Sequence, residues 1–260
     1  MRRCDEIYEI VTVYYPTSCI NTTRTTTSTS TSTSTSTSTS TSTSTSTSTS
    51  TSTSTTTTST TTVNPCPNCV PETEVTIGTQ IWTVCNFDTT TYRDGTPIPE
   101  VTDPIAWTNL TTGAWCYYDN DPATETTYGK LYNWYAINNI ANGGLAPVGY
   151  HIPTDTEWTT LTTYLNGNTV AGGKMKETGL CHWLSPNTDA TNTSGFTALP
   201  GGSRSNSGTF SNIGFYGYWW SSSEALTTYA WYRLLYSNFS NATRNYLFKT
   251  FGFSVRLIKD

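Results

Sequence analysis

Charge is scarce in this sequence. Only 12% of the 260 residues are Asp, Glu, Lys or Arg, the formal net charge is −5, and the 13 basic residues form no run or patch. A chain built this way lacks the cationic footprint that a phosphate backbone demands, which excludes nucleic acid as a partner. Histidine is rarer still, with only His151 and His182. Neither stands in metalloprotease spacing, and no phosphate loop or serine elbow occurs. No apolar run reaches the roughly 20 residues a membrane helix needs, so no membrane span is expected. Met1-Arg2-Arg3-Cys4 has the charge of a signal-peptide start without the apolar stretch that should follow. Export by another route, release of a virion protein by lysis, or a start further upstream are the expectations that remain.

Over one long stretch nothing is present that could be buried. From Thr22 to Thr62 every residue is Ser or Thr except Arg24. Such a tract cannot repay the entropy of ordering. Fully stretched, residues 22–62 span about 135 Å; as a flexible coil they average about 35 Å. The tract reads as an O-glycosylated stalk, because Ser/Thr-rich stretches accept sugars and glycans on adjacent residues hold a backbone extended. Thr27, Ser28, Thr29, Ser30, Thr31, Thr33, Thr35, Thr37, Thr39 and Thr41 are the candidate acceptors.

What remains divides into a head, residues 1–21, a junction, 63–74, and a body, 75–260, long enough for one domain. In the head, "DEIYEIVTVYY" predicts an isolated β-strand whose apolar residues are Ile7, Ile10, Val11, Val13 and Tyr15. A strand without a partner seeks a sheet edge, its own or another subunit's. The junction "NPCPNCVPE" carries Cys66 and Cys69. No second pair completes a zinc site, so these cysteines read as a disulfide staple at the hinge, together with Cys4 and Cys19. Cys85, Cys116 and Cys181 complete the seven disulfide candidates.

The body is rich in Tyr, Trp, Thr, Asn and Gly, a usage that suits short strands, long loops and an aromatic core. "EVTIGTQIWTVCNF" predicts two strands about Gly78. Leu131, Trp134, Tyr135 and Ile137 stand at helical spacing. "PTDTEWTTLTTYLNG" predicts a second helix, capped by Thr154 or Asp155, buried through Trp158, Leu161 and Leu165, and stopped by Gly167. After Phe196 the pattern is strand and loop. The fold class is α+β.

Seven ordered segments carry a family likeness: "TIGTQIWTVCNFD", "GAWCYYDNDPATETTYGKLYNWYA", "APVGYHIPTDTEWTTL", "GFTALPGGSR", "GYWWSSSE", "AWYRLLY" and "GFSVRLIKD". Over about residues 75–260 the chain resembles the Fibrobacter succinogenes major paralogous domain family. The resemblance implies a C-type lectin-like domain with two helices, short antiparallel sheets, paired N- and C-terminal strands and long loops. It also implies an extracellular place, on a bacterial or a phage surface. Family members often carry a cysteine where Leu257 stands here and another near "ATETTYG". Their absence leaves Cys181 as the candidate partner of Cys85 or Cys116.

Binding, rather than catalysis, fits the remaining residues. His151 before a proline reads as a packed structural group. His182 beside Cys181 lacks an orienting third group, so no enzyme is expected and no catalytic residue is named. Asp119, Asn120 and Asp121 could ligate calcium, but such clusters are more often turn formers, and no cofactor or metal is assigned. Tyr229, Tyr236, Asn238, Asn241, Asn245 and Tyr246 are candidates for an exposed ligand face, with Tyr as rigid contact area and Asn as adaptable hydrogen-bonding partner. Trp231, Tyr232 and Leu235 are assigned to packing. The expectation is a structural subunit of an extracellular fibre, joined to copies of itself by donation of the head strand. The alternative is an adhesin or receptor-binding protein with a cell-surface or carbohydrate ligand.

Overall fold

The structure, a computed structural model, describes residues 73–260. The head strand, the stalk with its acceptor hydroxyls, and Cys4, Cys19, Cys66 and Cys69 lie outside the described residues. The body is mixed helix and sheet, the expected α+β class. Its strands are β1 (Glu74–Ile77), β2 (Gln80–Thr83), β3 (Trp115–Cys116), β4 (Leu131–Tyr132), β5 (Tyr150–His151), β6 (Gly201–Arg204), β7 (Phe210–Ile213), β8 (Tyr216–Leu226), β9 (Tyr229–Tyr236), β10 (Ala242–Phe248) and β11 (Ile258–Lys259). Its helices are α1 (Pro104–Thr108), α2 (Glu125–Tyr128), α3 (Trp134–Ile137), α4 (Asp155–Tyr164) and α5 (Asn168–Met175).

One sheet runs β1-β2-β11-β5, a second runs β10-β9-β8-β6-β7, and β3 pairs with β4. The hairpin β1–β2 turns at Gly78, whose φ of +65° suits glycine. The last strand returns to the first hairpin of the body, with Ile258 opposite Trp82. α4 begins as its sequence predicts: the Thr154 hydroxyl accepts from the Glu157 amide while the Glu157 carboxylate accepts from the Thr154 amide, a capping box. Gly167, at φ +94°, ends that segment, but α5 follows at once and was not expected. Helical spacing from Leu131 also overreaches. Leu131 and Tyr132 are strand, and α3 is a single turn begun by the Asn133 cap. Short apolar runs satisfy either period, and here the pairing of β3 with β4 decides it.

Neighbouring tryptophans show how β8 organises the core. Alternate side chains on a strand point to opposite faces. Trp219 therefore joins Trp82, Trp158 and Phe196 beneath α4 and α5, while Trp220 joins Tyr218, Tyr232 and Phe253 on the other side. Both tryptophans are fully buried. The Trp82 and Trp158 rings lie 4.8 Å apart, and Trp220 and Phe253 lie 4.4 Å apart.

Between these aromatic clusters the body ties its long loops with buried cations. Arg256 donates to the carbonyls of Thr83, Phe196 and Thr197 and to Asn86 Oδ1, at 2.8–3.0 Å. Burial lowers its pKa to about 9, which leaves it charged at neutral pH. Arg204 does the same for Val101, Thr102 and Gly208 beneath the Trp107 ring. Lys176 donates to Thr188, Tyr236 and Phe239 carbonyls, and burial draws its pKa down to about 8. Loops carry carbonyls that no ladder satisfies, and a buried multi-donor side chain satisfies several together.

Candidate interaction face

The β9–β10 hairpin carries a cluster of partly exposed aromatic side chains. Its register places Leu235 opposite Ala242, Arg233 opposite Arg244, Trp231 opposite Tyr246 and Tyr229 opposite Phe248. These eight residues share one face. At one end Leu235 and Ala242 are buried in the cluster that α5 covers. The covering helices do not reach the other end, so an aromatic strip stands in solvent there. Tyr246 is 43% and Phe248 39% exposed, with Tyr229 and Trp231 half-buried between them. The rings form a continuous series: Trp231 to Tyr246 at 5.2 Å, Tyr246 to Tyr229 at 5.7 Å, and Tyr229 to Phe248 at 4.5 Å.

Electrostatics holds the middle of this face. Arg233 and Arg244 are cross-strand neighbours of like charge, an arrangement that repels unless a counter-charge lies between them. Asp155 at the start of α4 supplies it. Its Oδ1 accepts from Arg233 at 2.6 Å, and its carboxylate accepts from Arg244 Nε at 2.9 and 3.0 Å. Arg233 is buried and Arg244 half-exposed. Burial lowers the Arg233 pKa, while the Asp155 hydrogen bond and charge oppose the shift.

β10 is also the terminal strand of its sheet. The amide of Lys249 donates to the Thr228 carbonyl, which sets the phase of the ladder. Thr243, Asn245 and Leu247 turn their backbone groups toward β9, while Arg244, Tyr246 and Phe248 turn theirs outward. Among the described residues no strand pairs with that outer side. The Asn245 side chain bends back there, and its Oδ1 accepts from the Tyr246 amide at 2.8 Å.

Only part of the ligand face expected from sequence comes together. Tyr229 and Tyr246 lie in the aromatic strip. Asn245 is exposed on the same strand but on the opposite side of the sheet. Tyr236 also faces the other side, packed against Tyr216 at 5.2 Å and Phe239 at 5.6 Å. Asn238 and Asn241 sit in the turn at the far end of the hairpin. That turn lies against α5, where a Cβ on Gly172 would overlap the Asn241 carbonyl. Of the residues assigned to packing, Tyr232 and Leu235 are core, whereas Trp231 belongs to the strip. Arg244 and Phe248 were not singled out. The signal for them was the alternation A-T-R-N-Y-L-F, which places Ala242, Arg244, Tyr246 and Phe248 on one side.

The other candidates have structural employment. Asp121 caps the turn of Pro122–Thr124 through the Ala123 amide, and Asn120 donates to the Thr102 carbonyl. Asp119 and Asn120 both have φ of 55°, as turn formers do. Among the described residues no group of three His, Cys, Asp or Glu could hold a metal ion. His151 bridges Asp260 and Glu157 at 2.7 and 2.9 Å and so fastens the C-terminus to α4. His182 does have an orienting partner, Glu177 at 2.8 Å, which sequence reading missed. No disulfide joins Cys116 to Cys181. Cys116 is a thiol sealed in the small cluster with Trp107, Ala114 and Leu131, and Cys85 is disulfide-bonded. The position of Leu257, where the resemblance led to a cysteine, is filled by a buried apolar side chain. No helix among the described residues is long and apolar enough to cross a membrane.

Compared with family models, residues 75–259 match the Fibrobacter succinogenes major domain. No curated protein and no solved structure matches the chain.

Proposed function

The chain belongs to the Fibrobacter succinogenes major domain family, and from that premise we propose that it is a non-enzymatic structural subunit of an extracellular fibre. The head strand of one copy pairs with a sheet edge of the next body, and the Ser/Thr tract between them is an O-glycosylated spacer. The body itself is lectin-like in architecture. The observation that supports this reading best is the outer side of the seven-residue strand β10, which no strand among the described residues covers and which exposed aromatics border. A donated head strand and a receiving edge on the body are two different surfaces, so their pairing is a heterologous contact, and such contacts propagate.

Deleting Met1–Pro16 tests it. Full-length protein forms filaments by electron microscopy and concentration-dependent oligomers by size exclusion, and the deleted protein is a monomer. Assembly that survives the deletion ends the reading. Intact mass of the native protein carries the second part: the tract adds glycan mass, and an unmodified mass removes the sugar-clad spacer.

A second reading is favoured by the aromatic strip itself. Tyr229, Trp231, Tyr246 and Phe248 offer stacking surface to a cell-surface or carbohydrate ligand, which makes the body a recognition module at the tip of a stalk. A protein that stays monomeric at every concentration, yet binds glycan through this strip, selects that reading.

A further inference from the structure

We infer that the receiving site for the head is the outer side of β10, entered in parallel alignment with Glu9 beside Arg244, and that the Asn245 side chain is the latch the head displaces. This rests on the strand-donation reading above and names its site.

An incoming strand must pass the buried small residue Ala242 and then match three outward positions in order: a cation at Arg244 and aromatics at Tyr246 and Phe248. Alternation in the head places Ile7, Glu9, Val11 and Val13 on one side. Run parallel to β10, these four fall beside Ala242, Arg244, Tyr246 and Phe248 in turn. The one acid meets the one cation, and each exposed ring gains an aliphatic neighbour. Run antiparallel with the same charge match, Asp5 falls beside Phe248 and the apolar match is lost. Arg244 is 39% exposed at its side chain even while it holds Asp155, so it has room for a second carboxylate.

The latch follows from the geometry of the edge. In the parallel alignment the Tyr246 amide donates to the Ile10 carbonyl. That amide now donates to Asn245 Oδ1. A side chain that satisfies its neighbour's outward N–H blunts an edge against indiscriminate pairing. Docking exchanges one hydrogen bond for another at this position and adds those of Arg244, while the Phe248 carbonyl already accepts from the Phe251 amide at 3.0 Å.

The test compares full-length variants by light-scattering assembly rate, with near-UV circular dichroism to verify the fold. Tyr246→Pro removes the outward N–H and leaves the β9 ladder bonds in place, and assembly falls at least tenfold. Asn245→Ala unlatches the edge and shortens the assembly lag several-fold. Glu9→Arg sets like charges together and slows assembly several-fold. Should Tyr246→Pro fail to fold, the Asn245→Ala and Glu9→Arg results decide alone. If Asn245→Ala, Glu9→Arg and a folded Tyr246→Pro all assemble at the parent rate while deletion of Met1–Pro16 still abolishes assembly, the receiving edge is not β10 and the proposal is overturned with strand donation intact. If the deletion also assembles, strand donation itself falls.

Discussion

The Arg244 guanidinium lies over the Trp231 ring, 3.3 Å from its centroid. The same guanidinium holds Asp155, so one side chain joins the exposed strip to the first turn of α4. A cation over an exposed aromatic contributes about 0.5–1 kcal/mol. Arg244→Ala therefore lowers stability by about 1 kcal/mol in urea unfolding and shifts tryptophan emission to the red as the ring gains water. An unchanged emission spectrum would mean that the stacking does not persist in solution.

Asn86 is a second junction. Its Oδ1 accepts from both Trp219 Nε1 at 2.8 Å and Arg256 Nε at 2.9 Å, and its Nδ2 donates to the Tyr128 carbonyl at 2.8 Å. Asn86→Ala strands two buried donors at once. Leaving a buried donor unsatisfied costs about 1–3 kcal/mol, so the variant loses about 3 kcal/mol. For a domain of this size that lowers the melting temperature on the order of 10 °C in calorimetry. Asn86→Asp keeps the acceptor beside Arg256 and loses less.

Why was Asn86 invisible in the sequence when Trp219 was not? Trp219 and Trp220 announce a strand core by size and alternation, and β8 places both as period two requires. The capping box at Thr154 and Glu157 is local, and so is the turn at Gly78; three or four residues suffice to read them. The latches are different. Arg256 meets Thr83, Asn86 and Phe196 across more than 50 residues of sequence, and nothing in the letters near Arg256 names those partners. The interaction face failed for a related reason. Tyr and Asn were read as exposed by type, but burial on β9 and β10 depends on where α5 stops covering the sheet. That is a tertiary fact, and it leaves Trp231 half-buried in the strip, while Tyr236 on the opposite face packs against Tyr216 and Phe239.

His151 gives the body a pH dependence whose sign can be worked out. Burial pulls its pKa down, but hydrogen bonds to Asp260 and Glu157 outweigh it, and the net shift is upward from 6.5. The folded state therefore holds the proton more tightly than the unfolded chain. Its stabilisation is fully present below pH 6.5 and fades as pH rises through the raised value. For Glu157, burial raises the pKa, but the Thr154 amide and His151 lower it further, to a net value below 4.5. That contribution is present above pH 4.5 and is lost on acidification. Unfolding free energy measured between pH 4 and 8.5 is thus highest, for this cluster, between the two ordinary values. His151→Gln flattens the alkaline limb and leaves a shallower acid limb. An alkaline limb unchanged by His151→Gln would place the titrating group elsewhere.

Cys116 supplies the sharpest test of the packed interior. Its side chain is fully buried beside Arg204 and Trp107. Burial pushes the thiol pKa up to about 12, although the Arg204 charge and hydrogen bond pull the other way. The thiolate is the reactive form, so at pH 8 only about one molecule in 10⁴ carries it by the difference of about four pH units, and the sulfur is sealed besides. Iodoacetamide at pH 8 leaves Cys116 unmodified in the native protein over hours, as read by peptide mass spectrometry, and alkylates it fully in 6 M guanidinium chloride. Cys116→Ser retains the size but places a hydroxyl among Trp107, Ala114 and Leu131, and it destabilises the fold by about 1–2 kcal/mol through that desolvation. Rapid native alkylation would mean that the small cluster opens readily, and with it the loop that Arg204 ties to Val101 and Thr102.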